Sequence, residues 1–256
     1  MNKQELKLEI ESVINWIREY VKKGKAKGVV IGNSGGKDSA VAIGLATKAL
    51  GKQSVLTIAM PCESKKEDLE DAYFVARKFE VPLIEVDLSS EYNLLNKKIE
   101  SQLRKELSKE AKINTKPRLR MTTLYMIAQS LDYFVMGTGN LCERMVGYTT
   151  KWGDNSSDFN PLGNFTVEEV LQIGKLLEVP KQILSKEPSD GMSNQTDEEK
   201  LGVYYQEISQ YCLTGKINKQ TKEKIDSYYR KAKHKIEPIP IYPIKNRINY
   251  IEKMNQ

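Results

Sequence analysis

One short segment carries residue types that could bind a chain of phosphates. Residues 31–39 read Ile-Gly-Asn-Ser-Gly-Gly-Lys-Asp-Ser, between a run typical of a buried strand and a stretch with helical spacing. The free N–H groups and the dipole of a helix that begins there attract anions. Gly35 and Gly36 lack the β-carbons that would keep a phosphate away from the backbone. Two hydroxyl donors and one positive charge complete the segment: Ser34, Ser39 and Lys37.

The same segment excludes two common kinds of phosphate loop. A Walker loop needs glycine at position 31 and Ser or Thr after Lys37, whereas the chain has Ile31 and Asp38. The dinucleotide pattern G-x-G-x-x-G is also broken, because Ser34 stands where its second glycine would be. Asp38 would repel a triphosphate unless Mg²⁺ lay between them. The residues therefore predict a nucleotide loop of another type that works with Mg²⁺.

The elements around this loop alternate between strand and helix. An amphipathic helix over residues 2–23 precedes strands predicted at 28–32, 54–60 and 82–86, with helices at 38–50 and 67–79. Such alternation is typical of a parallel α/β sheet. We therefore expect an α/β fold, a Rossmann-like doubly wound parallel sheet with flanking helices, in a single domain over 1–256.

The second half of the chain is less regular. We expect a fourth strand at 133–136 and two loops without periodicity, at 147–164 and 186–197. The remaining pattern predicts helices at 92–111, 119–131, 167–177, 198–213 and 218–232.

Composition narrows the class of protein. The 256 residues have 39% hydrophobic and 29% charged side chains and a net charge of +6, which fits a polyanionic small ligand at least as well as nucleic acid. No apolar run approaches the ~20 residues of a membrane helix, and the N-terminus is unlike a signal peptide. Three widely spaced cysteines suit the reducing cytoplasm. The single His234 argues against a Ser-His-Asp hydrolase.

Further motifs follow the phosphate loop in a fixed order. They are Lys-Pro-Arg-Leu-Arg-Met at 116–121, Gly-Thr-Gly-Asn-Leu-Cys-Glu at 137–143, Gly-Tyr-Thr-Thr-Lys-Trp-Gly-Asp at 147–154, Asp158, Pro-Leu at 161–162, Pro-Ser-Asp at 188–190, Asp-Glu at 197–198 and His-Lys at 234–235. The loop resembles that of the ATP pyrophosphatase superfamily. Together, from about residue 27 to 238, the motifs resemble the NAD synthetases of that superfamily.

The resemblance implies a reaction and its participants. It implies an adenine nucleotide alpha-hydrolase-like fold and a ligase that converts deamido-NAD to NAD, using ATP and ammonia. The route would pass through an adenylated intermediate, with release of pyrophosphate and AMP. Mg²⁺ would be the cofactor, ATP a co-substrate, and a second copy of the chain the partner in a homodimer. Nucleic acid and membrane are not expected as partners.

The resemblance also implies roles for individual residues. Asp38 and Glu143 would be the catalytic carboxylates that bind Mg²⁺. ATP would contact the loop and two further residues: Gly32, Asn33, Ser34, Gly35, Gly36, Lys37, Asp38, Ser39, Thr138 and Ser189. Deamido-NAD would contact Arg118, Lys151, Asp158, His234 and Lys235.

The chain departs from the family pattern at several positions. Many members have a lysine that contacts ATP where this chain has Val167; Lys175 or Lys186 could replace it. Ser189 stands where the family usually has Thr, and Gly139-Asn140 is a variant of Asp-His. Only about 25 residues, without cysteine, precede the first strand, so we expect free ammonia, or ammonia from a separate partner, to be the nitrogen source.

Several alternatives stay open on sequence grounds. Glu143 could form a surface ion pair, Asp158 could cap the turn before Pro161, and His234 could be a solvated residue among lysines. The chain could also be a tRNA-modifying adenylating enzyme, although it lacks a Cys-x-x-Cys pair, or a nucleotide-binding protein without catalysis.

Overall fold

The computed structural model describes residues 1–186 and 196–242. Four parallel strands form one sheet in the order β3-β2-β1-β4. The strands are β1 (Gly28–Gly32), β2 (Val55–Ala59), β3 (Leu83–Glu85) and β4 (Tyr133–Val135). The helices are α1 (Lys3–Lys23), α2 (Lys37–Leu50), α3 (Lys66–Phe79), α4 (Ser89–Leu103), α5 (Lys109–Leu131), α6 (Leu141–Val146), α7 (Val167–Leu176), α8 (Lys181–Leu184), α9 (Asp197–Leu201), α10 (Tyr205–Thr214) and α11 (Lys219–Ile236).

Helices cover both faces of the sheet, which confirms the doubly wound prediction. Val29 and Ile31 of β1 are fully buried in a core shared with α1, α2, α3 and α7. Val30 points to the opposite face, where α4 and α5 pack. A strand buried on both sides must be apolar along its whole length, and this explains the uninterrupted Val-Val-Ile run of β1.

The order of the strands creates a crevice beside β1. The chain builds outward from β1 through β2 to β3, and then returns to place β4 on the other side of β1. The loops that follow β1 and β4 therefore diverge. In open α/β sheets, ligands bind at the carboxyl ends of the strands at such a switch point.

The C-terminal helices form a third apolar cluster beside the sheet. Cys142 and Val146 of α6 pack against Ile208 of α10 and Ile225 of α11, and all four side chains are buried. This packing fixes α6 at the crevice and brings the end of α11 toward it.

Two predicted helices are interrupted. The helix predicted over 92–111 ends at Leu103 because Arg104 adopts a left-handed conformation, with φ of 50°. A new helix, α5, begins after Ser108, ten residues before the predicted start at 119, and it continues through Pro117. The helix predicted over 198–213 is divided at Gly202, whose φ is +58°. These breaks depend on backbone turns that hydrophobic periodicity does not reveal.

Three further expectations concern a loop, the cysteines and membrane helices. Of the loop predicted at 186–197, residues 187–195 lie outside the described residues, while Asp197 begins α9. The three cysteines are free thiols. In the described ranges, no helix has both the length and the apolar character needed to cross a membrane.

Candidate active site

A cavity of about 570 Å³ opens at the carboxyl ends of the central strands. Its wall combines the loop after β1, the segment after β2, one side of α5 and the segment after β4. Most of the predicted phosphate loop lines this cavity, as do Thr138 and Glu143. The fold therefore brings sequence motifs more than 100 positions apart to one place, where ligands of open α/β sheets bind.

The phosphate loop is fixed by its own hydrogen bonds. The Asn33 side chain is almost fully buried; it donates to the Ala72 carbonyl at 2.8 Å and accepts the Gly35 N–H at 3.1 Å. Ser39 Oγ donates to the Gly36 carbonyl at 2.9 Å and lies 3.1 Å from Ser34 Oγ. Such bonds set the loop geometry before a ligand arrives, so little ordering remains to be done on binding.

The two adjacent glycines of the loop have different tasks. Gly35 has φ of +73°, and a β-carbon there would lie 2.6 Å from the Asp68 carbonyl oxygen. Packing against α3 therefore requires this glycine, which lies behind the cavity wall. Gly36 lines the cavity and precedes the first turn of α2. Since glycine offers no capping side chain, the N–H groups of that turn can bind an anion.

The two predicted metal carboxylates both face the cavity and are linked through one residue. Asp38 Oδ2 lies 3.1 Å from Lys37 Nζ, and its Oδ1 accepts the Asn140 Nδ2–H at 3.2 Å. Glu143 Oε2 accepts the Asn140 backbone N–H at 2.9 Å. Burial and the nearby Asp38 charge raise the pKa of Glu143 to about 8. A bound cation would stabilise the ionised form of a carboxylate that is buried beside a second carboxylate.

This donor set fits Mg²⁺ held jointly with a nucleotide. No group of three or more His, Cys, Asp or Glu side chains in the described part of the chain could hold a metal by itself. Mg²⁺ is commonly bound by one or two carboxylates, with water and substrate phosphates as the other ligands. Burial would lower the pKa of Lys37, but Asp38 and Glu143 raise it overall, so Lys37 remains a cation beside the pair.

Lys186 lines the cavity, as Lys37 and Lys235 do. Its Nζ lies 2.7 Å from Asp68 Oδ1 and 2.8 Å from Asp71 Oδ2. Val167 is buried in the C-terminal cluster, and Lys175 is exposed on α7. Of the two lysines suggested as replacements for the usual ATP contact, Lys186 is therefore the one in a suitable position.

Arg120 is a further cavity cation, beside Lys37, Lys186 and Lys235, and the sequence assigned it no role. Its Nε donates to the Met60 carbonyl at 3.0 Å, and Nη2 donates to Ser64 Oγ at 3.2 Å. Burial lowers the pKa of its guanidinium, which nevertheless stays cationic. The residue occurs in the motif at 116–121, but periodicity could not distinguish its inward position from that of Arg118.

Among the predicted deamido-NAD contacts, Lys235 lines the cavity. Its Nζ donates to the carbonyls of Gly147 and Thr149, at 2.8 and 2.7 Å, and so connects α11 to the loop after α6. His234, its neighbour, is exposed on α11. Asp154 was not singled out from the sequence; it also lines the cavity, and it accepts hydrogen bonds from the loop that Lys235 contacts.

The other predicted substrate contacts lie beyond the cavity wall. Arg118 Nε donates to the Lys151 carbonyl at 3.2 Å, and Lys151 Nζ lies 5.3 Å from the centre of the Trp152 ring. Asp158 is bound to the end of β4. The fold thus brings Arg118 and Lys151 together on the surface. Ser189, predicted to contact ATP, lies outside the described residues.

Comparisons with known proteins show the family of the chain. The family model described as NAD synthase matches residues 9–239. The NH(3)-dependent NAD(+) synthetase of Carboxydothermus hydrogenoformans is 42% identical over 235 residues, which are 91% of this chain and 96% of that protein. An NMN synthetase from Francisella tularensis superposes with a TM-score of 0.86 at 34% identity, covering 93% of this chain and 98% of that one.

A second solved structure is also similar to this chain. The NH3-dependent NAD synthetase of Campylobacter jejuni, in complex with the nitrate ion, has a TM-score of 0.76 at 27% identity and covers 95% of this chain and 100% of that chain. The family model spans most of the sequence, and the relatives match over nearly their whole length. The chain belongs to the NAD synthase family.

Proposed function

We propose that this chain amidates deamido-NAD to NAD, with ATP and ammonia as co-substrates. The observation that carries the proposal is the pair Asp38 and Glu143 beside the open N-terminus of α2, in a cavity lined by a preformed phosphate loop. The similarity to NH(3)-dependent NAD(+) synthetases supports the substrate assignment. The reaction forms a C–N bond and makes the chain a ligase.

The first chemical step would activate the nicotinate carboxylate. A carboxylate oxygen attacks the α-phosphorus of ATP, the bond from the α-phosphorus to the bridging oxygen breaks, and pyrophosphate leaves. The product is an acyl adenylate. Activation is needed because an ionised carboxylate repels nucleophiles and has no competent leaving group. This route needs no covalent nucleophile from the protein, so catalysis consists of positioning and charge stabilisation.

The loop and the cavity cations supply that positioning. The N–H groups of the first turn of α2 and the ammonium of Lys37 would bind the triphosphate. Lys186 and Arg120 would oppose the remaining negative charge of two polyanionic substrates. Asp38 and Glu143 would bind Mg²⁺, which, when present, screens the charge that develops on the departing pyrophosphate.

The second step would use ammonia as the nucleophile. Its nitrogen lone pair attacks the acyl carbon, the carbon–oxygen bond to AMP breaks, and the surplus proton passes to water. The products are NAD and AMP. Water would hydrolyse the same intermediate, so the cavity must exclude it while the adenylate exists.

A second candidate substrate is nicotinate mononucleotide. The Francisella tularensis protein with the TM-score of 0.86 is named an NMN synthetase, and NMN carries its amide on the same pyridine ring as NAD. The chemistry at Asp38 and Glu143 would be unchanged. The difference would lie in the adenylate half of the dinucleotide, which only deamido-NAD carries.

Product analysis tests the proposal. The purified protein would be incubated with ATP, Mg²⁺, ammonium and either deamido-NAD or nicotinate mononucleotide, and the products separated by chromatography. We expect NAD, AMP and pyrophosphate in equal amounts, and no AMP when the nicotinate substrate is omitted. A higher kcat/KM for the mononucleotide would favour the second candidate. ATP binding without AMP formation would contradict both.

Three accompanying proposals have their own tests. Ammonia is the direct donor if glutamine supports little product. We also propose a homodimer, to be checked by sedimentation, and a cytoplasmic location, which the three free thiols support. Localisation of a tagged chain by cell fractionation would test the latter.

A further inference from the structure

Asn140 is in contact with both carboxylates of the site. The residue is 1% exposed and precedes α6. Its side-chain oxygen accepts the Glu143 backbone N–H at 3.0 Å, and its own backbone N–H donates to Glu143 Oε2 at 2.9 Å. Its Nδ2 donates to Asp38 Oδ1 at 3.2 Å. One buried amide therefore joins α2 and α6, whose contacting residues are 102 positions apart.

The bond to Asp38 is more than the helix cap requires. Thr166 forms the same reciprocal cap at α7, with Glu169 in the place of Glu143, and does so with a hydroxyl alone. Ser, Thr and Asn cap helices comparably well. At α6 the cap uses the amide oxygen of Asn140, which directs the NH₂ group toward Asp38. The second bond is therefore an added function of this particular side chain.

A neutral donor suits this position for an electrostatic reason. Asp38 and Glu143 repel each other, and Lys37 attracts Asp38 Oδ2. A hydrogen bond from an uncharged amide orients Asp38 without cancelling the charge that a divalent cation needs. Groups that hydrogen-bond to the ligand carboxylates of a metal hold them in position and so contribute to its affinity.

We propose that Asn140 is a positioning residue that sets the carboxylates of Asp38 and Glu143 in place for a divalent cation. The inference rests on the proposed function, because it takes these two side chains as metal ligands. Its role is exerted through Asp38 and Glu143 and requires no contact between Asn140 and substrate.

Metal affinity tests this role apart from turnover. Binding of Mn²⁺ would be measured by electron paramagnetic resonance in the presence of the non-hydrolysable analogue α,β-methylene-ATP. Asn140→Ser keeps a cap acceptor and removes the amide that reaches Asp38. We expect it to weaken Mn²⁺ binding by about 10- to 100-fold, the usual effect of losing a group that orients a ligand.

Thr166→Ala provides the matched control, since it removes the equivalent cap of a helix at which no metal carboxylate is predicted. We expect it to lower the unfolding temperature and to leave the Mn²⁺ affinity unchanged. If Asn140→Ser does not fold, Asn140→Gly replaces it, because glycine is also well tolerated at the cap of a helix.

The outcomes distinguish the positioning role of Asn140 from the proposed reaction. Unchanged Mn²⁺ affinity in a folded Asn140 variant would overturn the positioning role and leave the proposed reaction intact. Equal losses in Thr166→Ala would do the same, because they would indicate a general effect of stability. If the wild-type protein with the analogue bound no Mn²⁺, the metal site itself would be wrong, and the role of Asn140 with it.

Discussion

The carboxylate of Asp158 accepts a hydrogen bond from the backbone N–H of Val135 at 2.7 Å. The backbone of Asp158 also donates to the Val135 carbonyl at 2.9 Å, and Tyr125 OH lies 3.3 Å from the other carboxylate oxygen. Burial and this carboxylate raise the pKa of Tyr125 to about 12. A residue proposed to contact deamido-NAD therefore also fixes the end of β4, the strand that leads to Thr138.

Replacing this carboxylate should affect stability as well as binding. Asp158→Ala leaves the Val135 N–H without its acceptor. We expect the free energy of unfolding to fall by about 1–3 kcal/mol. Asp158→Asn, which keeps an acceptor oxygen, should lose less. Urea unfolding measures both variants, with KM for deamido-NAD determined on the folded protein. Wild-type stability together with a raised KM in Asp158→Ala would indicate that substrate contact is the main role of this side chain.

Neutralising either proposed metal ligand should abolish most turnover without unfolding the chain. We expect Asp38→Asn and Glu143→Gln each to lower kcat by at least about 100-fold, because charge on the departing pyrophosphate would lose its stabilisation. Stability should be equal or higher in Glu143→Gln, which removes the repulsion between two partly buried carboxylates. Asp38→Asn also loses the ion pair with Lys37, so we expect it to be less stable than Glu143→Gln but still folded. The measurements are AMP release and thermal unfolding.

Glu169→Gln is the matched control for Glu143→Gln. Glu169 holds the same place in the cap of α7 and is 7% exposed, but it lies away from the cavity. Gln serves in such a cap as Glu does. We expect Glu169→Gln to retain turnover. Normal rates in a folded Glu143→Gln would exclude a metal role for that carboxylate.

The alternation of strands and helices was predictable because the hydrophobic pattern of each element is local in the sequence. The buried run of β1 and the apolar spacing of α1 are local patterns, and so is the phosphate loop between β1 and α2. Of its glycines, Gly35 is required by packing against α3, which the local sequence does not reveal.

Long-range pairings were not predictable in the same way. Lys186 meets Asp68 across 118 positions, and Asn140 meets Asp38 across 102. Each pairing depends on the relative positions of separate elements in the fold, and local residue spacing does not predict those positions. The break at Arg104 is similar, because a left-handed arginine carries no signal comparable to glycine.

Lys186 should affect ATP more than the nicotinate substrate. In Lys186→Met, Asp68 and Asp71 lose their shared cation at the cavity wall and would repel a triphosphate. We expect KM for ATP to rise about tenfold, the loss of one charge-assisted contact, with KM for deamido-NAD nearly unchanged. Lys175→Met, on the exposed side of α7, is the control and should behave as wild type. An unchanged KM for ATP in Lys186→Met would reject Lys186 as the substitute for the lysine absent at position 167.

The surface group of Lys151 and Trp152 should distinguish a dinucleotide from a mononucleotide substrate. The Trp152 side chain is 54% exposed, and its ring lies beneath the Lys151 ammonium outside the cavity, so it could stack on the adenine of deamido-NAD. We expect Trp152→Ala to raise KM for deamido-NAD by about 3- to 10-fold, the usual value of one aromatic contact. KM for ATP should not change, because its site lies within the cavity. Nicotinate mononucleotide lacks the second base, so its KM should be the same in wild type and variant. Equal effects on both nicotinate substrates would instead place this group at the shared nicotinate half.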